Sequence, residues 1–81
     1  MSEAEERIFS IFVSPLEGVL DPAGQAALGA LHSLGYGEVE DVRIGKYIIL
    51  TTRGGSEERV REMCERLLAN PIIEEYRIES G

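Results

Sequence analysis

Tryptophan is missing from this chain of 81 residues, and cysteine and histidine occur once each. A single cysteine excludes an internal disulfide and suits a reducing, cytoplasmic setting. One cysteine with one histidine also falls short of the ligand set of a structural zinc site. No apolar run approaches the ~20 residues needed to span a bilayer. The opening MSEAEER is polar and acidic, the reverse of a secretory leader. Basic residues are few: eight Lys and Arg against fifteen Asp and Glu, for a net charge of −7. Nucleic acid is held mainly by cations on phosphates and by aromatic rings stacked on bases. Two Phe and three Tyr on an acidic chain supply neither, so no nucleic acid and no membrane is expected as a partner.

What is present reads as one domain, 1–81, with residues 1–6 expected as a flexible N-terminal extension. A chain of this size buries only about 60–65% of its unfolded surface, so its margin of stability is small. RIFSIFVS (7–14) is β-branched and aromatic and predicts a strand. Asp21-Pro22 predicts a helix start: Asp caps free N–H groups, and Pro at the first helical position loses no hydrogen bond. Leu20, Ala27, Leu28, Leu31 and Leu34 suit one apolar stripe, and Gly35 suits the left-handed end of that helix. EVEDVRI (38–44) and KYIILTT (46–52) predict two strands joined at Gly45 by a tight turn or bulge. Ser56 caps a second helix whose first turn carries Glu57 and Glu58. Its buried stripe is Val60, Met63, Cys64, Leu67 and Leu68, and Asn70-Pro71 ends it. IIEEYRIE (72–79) predicts the last strand.

The order βαββαβ, with short connections, favours an α+β, ferredoxin-like sandwich: a four-stranded antiparallel sheet with two helices on one face. The first and third strands would be central. Side chains alternate along a strand, so Ile8, Ser10 and Phe12 face one way and Phe9, Ile11 and Val13 the other. In the third strand Tyr47 and Ile49 oppose Ile48 and Leu50. Two helices cover one face only, and an apolar second face implies another cover, most simply a second copy. A homo-oligomer, dimer or tetramer, is therefore expected, with Ile11 or Phe12 at the contact.

A self-sufficient active site is not visible. His32 sits mid-helix without the nucleophile and orienting group that a catalytic histidine needs. Cys64 falls in an apolar stripe, where a thiol behaves as a small hydrophobe. Glu40-Asp41 and Glu74-Glu75 are adjacent on predicted strands, so each pair splits across the sheet. GGSEE (54–58) places glycines before a helix, but its first turn is already acidic and lacks the lysine of a phosphate-binding loop. No catalytic residue, cofactor-binding residue or metal ligand is assigned to the chain.

Three stretches carry a resemblance: GVLDPAG (18–24), EVEDVRIGKY (38–47) and CERLLANPIIEEYRIE (64–79). In this order and spacing they resemble the PurS family, the small subunit of phosphoribosylformylglycinamidine (FGAM) synthase, from about Ile8 to Glu79. Ala23 stands where the family commonly has Gln, and position 16 lacks a lysine common in the family. The resemblance implies a subunit of an ATP-dependent carbon–nitrogen ligase of purine biosynthesis, without a catalytic centre of its own. It implies as partners a large subunit, PurL, with ATP and magnesium, and a glutaminase subunit, PurQ. Ammonia from glutamine would convert formylglycinamide ribonucleotide (FGAR) into FGAM on the large subunit. A small-subunit dimer would bridge the two. The alternative reading is an ACT-like ligand-sensing module of the same element order, with SPLEGVLDPAG as its ligand loop.

DVRIGKYIIL (41–50) sets two cations about a glycine in an acidic chain. Arg43 points away from Val42 and Ile44, and Gly45 lets the backbone re-aim Lys46 and Tyr47. Arg and Tyr are typical interface anchors, so Arg43, Lys46 and Tyr47 join Ile11 and Phe12 as candidate subunit-interface residues. The competing reading is a charged edge strand that deters aggregation.

Overall fold

The computed structural model describes residues 5–80. Alternating apolar residues make β1 (Glu6–Pro15) the middle strand of a three-stranded sheet. β2 (Lys46–Arg53) and β3 (Glu74–Ser80) flank it, both antiparallel. Phe9, Ile11 and Val13 all point to one face and are almost fully buried. Val60 and Cys64 pack down on them from α2 (Glu57–Met63) and the turn that follows it. Ala69, Ile48, Leu50, Leu68, Tyr76 and Ile78 close the cluster. The register sets Ile11 between Ile48 and Ile78, so three β-branched side chains line up across the sheet beneath the helix.

Both helix starts follow the local chemistry. Ser56 Oγ accepts the Arg59 amide, and Asp21 caps α1 (Pro22–Ser33) with Pro22 at the first position. Gly35, at φ 102°, ends α1 in the left-handed region. The second helix differs from expectation at its end. It widens after Met63 into a single π-helical turn, Cys64–Leu68, where the Ala69 amide reaches back to the Cys64 carbonyl at 2.9 Å. The wider turn keeps Cys64 and Ala69 inside, and Leu67, expected in the buried stripe, is 81% exposed.

Three larger expectations are not met. The sheet has three strands, because 38–44 joins no ladder. The Ile44 amide is taken by the Asp21 carboxylate at 2.9 Å, and residues 41–45 make no turn or bend, so the chain runs on at 45 instead of folding back. The helices do not share one face: α2 packs on β3, while α1 lies away from the sheet. The radius of gyration is 16.8 Å and the longest extent 61 Å, against about 12 Å for the radius of a compact chain of this length. Finally, Glu6, assigned by the sequence to the N-terminal extension 1–6, belongs to β1. Glu6 pairs with Arg53 in β1, and Glu5 accepts the Gly54 amide at 2.8 Å. Residues 1–4 lie outside the described part.

α1 and the segment after it form an arm. His32 Nε2 bonds the Val39 carbonyl at 2.8 Å. Asp21 binds Gly24 N–H with one carboxylate oxygen and Ile44 N–H with the other. The Gly24 position lies so close to the Val42 carbonyl that a Cβ would meet it. Helix and extended segment are thus fastened at both ends.

Candidate functional site

The five candidate residues separate in the structure. Ile11 is fully buried beneath α2 in the chain's own core, so it cannot serve as a contact for another subunit. That face of the sheet already has its cover. Phe12 and Tyr47 lie on the opposite, open face.

Gly45 is placed by close approach. A Cβ there would run into the Val13 carbonyl oxygen and come within 3.1 Å of the Ser14 Cα, so only glycine lets this stretch press against the end of β1. The two cations beside it are spent within the chain. The Arg43 guanidinium donates to the Pro15 carbonyl, where β1 ends. Lys46 Nζ donates to the Leu68 carbonyl at 3.0 Å, at the end of the π turn, where a helix presents unsatisfied carbonyls and its negative pole. The two cations fasten the arm and α2 to one end of the sheet. Both residues remain exposed, and each reaches a backbone carbonyl of another part of the chain.

The open face carries a row across the three strands. The Phe12 and Tyr47 rings stack with centroids 4.9 Å apart and planes 17° apart. On the other side the Arg77 guanidinium lies 4.4 Å from the Phe12 centroid and pairs with Glu79 at 3.0 Å. Ser10 Oγ and Tyr47 Oη lie 3.4 Å apart. Ile8 (50% exposed), Ile49 (62%) and Tyr47 (59%) extend the row into an apolar strip. Strand parity makes Phe12 and Tyr47 share a face, but their pairing depends on register. The part of Arg77 was missed, and the alternation in EEYRIE was the signal that could have found it.

The titratable groups around the core have structural work. Tyr76 Oη donates to Glu65 at 2.5 Å, and this bond raises the phenol above its ordinary pKa. Arg61, beside that phenol and 3.1 Å from Glu57, is held more firmly protonated. Burial raises the Cys64 thiol, which suits a core side chain and not a nucleophile. The amides of Ile44 and then Gly24 hold the Asp21 carboxyl below its usual range. Among the described residues no three His, Cys, Asp or Glu side chains stand together as a metal site, and no helix is long and apolar enough to cross a membrane.

Comparison with known proteins gives one consistent result. The family model described as PurS, phosphoribosylformylglycinamidine (FGAM) synthase, matches residues 8–81. The Bacillus subtilis phosphoribosylformylglycinamidine synthase subunit PurS is 54% identical over 72 residues, covering 85% of this chain and 86% of that protein. The corresponding Synechocystis subunit is 47% identical over 73 residues, covering 85% and 73%. Among solved structures, B. subtilis PurS superposes with a TM-score of 0.86 at 50% identity, over 93% of this chain and 98% of that one. A chain of the Thermotoga maritima PurLQS structure superposes with a TM-score of 0.79 at 31% identity, over 95% and 99%.

Proposed function

Because this chain belongs to the PurS family of FGAM synthase, we propose that it works as the small subunit of that synthase in purine biosynthesis, bridging a large PurL-type subunit and a PurQ-type glutaminase. The observation that carries this reading is the fit of nearly the whole chain onto a chain of the PurLQS structure. The chain therefore contributes to an ATP-dependent ligase as a scaffold. ATP and magnesium sit on the large subunit, where ammonia from glutamine turns FGAR into FGAM. The physical reason for a bridge is proximity: ammonia released to bulk water is diluted and protonated, whereas a held complex delivers it locally. The small subunit acts as a homo-oligomer, and the four-stranded ferredoxin-like arrangement belongs to that assembled state. Phe12 and Tyr47, on the open face, are its contact residues toward the other subunits. No observation favours the ligand-sensing alternative.

The test is FGAM formation from FGAR and glutamine with purified large and glutaminase subunits, with and without this chain. Glutamine-dependent synthesis should need it, and ammonia-dependent synthesis at high ammonium should not. Full glutamine-dependent rate in its absence would overturn the bridging reading.

A further inference from the structure

The open sheet face divides by charge. On β1 and β2 its middle is Ile8, Phe12, Tyr47 and Ile49, while β3 presents Glu75, Arg77 and Glu79. Arg77 lies on the Phe12 ring and turns along the strand to Glu79. Glu75, on the other side of Arg77, is exposed, and among the described residues its carboxylate has no ion-pair or hydrogen-bond partner. It stands directly across from Ser14 in the ladder. Phe12, Ser14, Glu75 and Arg77 line a hollow of about 270 Å³, open to solvent. The hollow thus has an aromatic wall, a hydroxyl and one unspent negative charge. That is the chemistry of a seat for a long cationic side chain, whose alkyl stem covers apolar surface while its head meets a carboxylate.

We infer that this hollow takes a lysine or arginine from a protein subunit that is not another copy of this chain. The charge count decides the occupant. Six of the eight cations, Arg7, Arg43, Lys46, Arg59, Arg61 and Arg77, already reach a carbonyl or carboxylate of their own chain. Arg53 stands opposite Glu6 in the β1–β2 ladder. A second copy, at net −7, therefore brings chiefly more acid to this face, and like charges set across a contact oppose it. A basic partner surface meets the face with the opposite sign. The apolar strip supplies contact area beside the hollow, and the pair made with Glu75 fixes which way round the partner sits. This rests on the bridging reading above and adds the chemistry that the synthase partner on this face must present.

The test titrates this chain into purified large and glutaminase subunits and follows glutamine-dependent FGAM formation. Glu75→Gln and Glu75→Lys should both raise the half-saturating concentration of this chain, the reversal by about tenfold or more. Thermal midpoint and oligomeric state should stay as in wild type. Added salt should weaken the wild type more than Glu75→Gln, because the variant has already lost the screened pair. Glu58→Lys is a reversal of the same kind on α2, which covers the opposite face, and should leave the half-saturating concentration near wild type. An equal effect of Glu58→Lys makes Glu75 one charge among many and overturns the seat. A wild-type half-saturating concentration for Glu75→Lys also overturns it and leaves the bridging reading standing. A changed oligomeric state of Glu75→Lys by light scattering overturns it too, because the occupant is then a second copy. Full glutamine-dependent synthesis without the chain overturns the bridging reading and the seat together.

Discussion

Ile11 and Phe12 are neighbours in sequence and opposites in role. Ile11 is enclosed by α2 and its cross-strand partners, so Ile11→Ala should cost about 2–5 kcal/mol, the range for truncating a buried aliphatic. In a domain of this size that is a large part of the total. Urea denaturation followed by circular dichroism checks it, and a midpoint equal to wild type would remove Ile11 from the core. Asp21 supplies a prediction in pH. Its folded carboxyl lies below the ordinary value of 3.8, first through the Ile44 amide and then through Gly24. A depressed carboxylate stabilises the fold above its unfolded pKa, and that contribution fades as pH falls through the folded value. The arm should therefore hold unchanged between about pH 5 and 8 and loosen below about pH 4. The Ile44 amide, followed by NMR from pH 6 down to 2, should lose its protection there, and Asp21→Asn should flatten the response.

At the scale of the elements, caps were readable and ends were less so. Ser56 accepts the Arg59 amide, so Ser56→Ala should destabilise by about 1 kcal/mol. An unchanged thermal midpoint would show the cap to be redundant. Gly45 marks the junction between β2 and the arm. Gly45→Val puts a side chain into the Val13 carbonyl, so the arm should part from the end of β1 while the three-stranded sheet persists. The expected signature is loss of the Ile44 and Gly24 amide protection without loss of the β1 ladder, seen by amide hydrogen exchange. The π turn after Met63 had no sequence signal. A helical stripe at i, i+3, i+4 places Leu67 inward, and inserting one residue in a turn rotates everything beyond it.

For the whole molecule, the open face joins fold to assembly. Tyr47→Ala removes an exposed ring stacked on Phe12 and should leave the melting curve nearly unchanged. If this strip meets another subunit of the synthase, the glutamine-dependent rate at limiting small subunit should fall about tenfold or more, the usual loss for an aromatic anchor. A wild-type rate at limiting concentration would confine the strip to solvent.

The sequence alone determined the segments whose causes are local. Those are three of the four strands, both capped helix starts, the glycine that ends α1, the inward set Phe9, Ile11 and Val13, and the family through its spaced motifs. Tertiary structure decided what depends on where the chain goes between them. Residues 38–44 carry a strand pattern, but a pattern states which side chains share a face and not which edge they meet. The same βαββαβ order is satisfied by an arm folded back or an arm extended. What separates the two is a few long-range bonds, Asp21 to Ile44 and Arg43 to Pro15, with Gly45 lying against β1. Those contacts join residues 23 to 32 positions apart, and no local propensity encodes them. Arg43 and, through Leu68, Lys46 also bond the chain's own backbone, which their place in the sequence does not reveal.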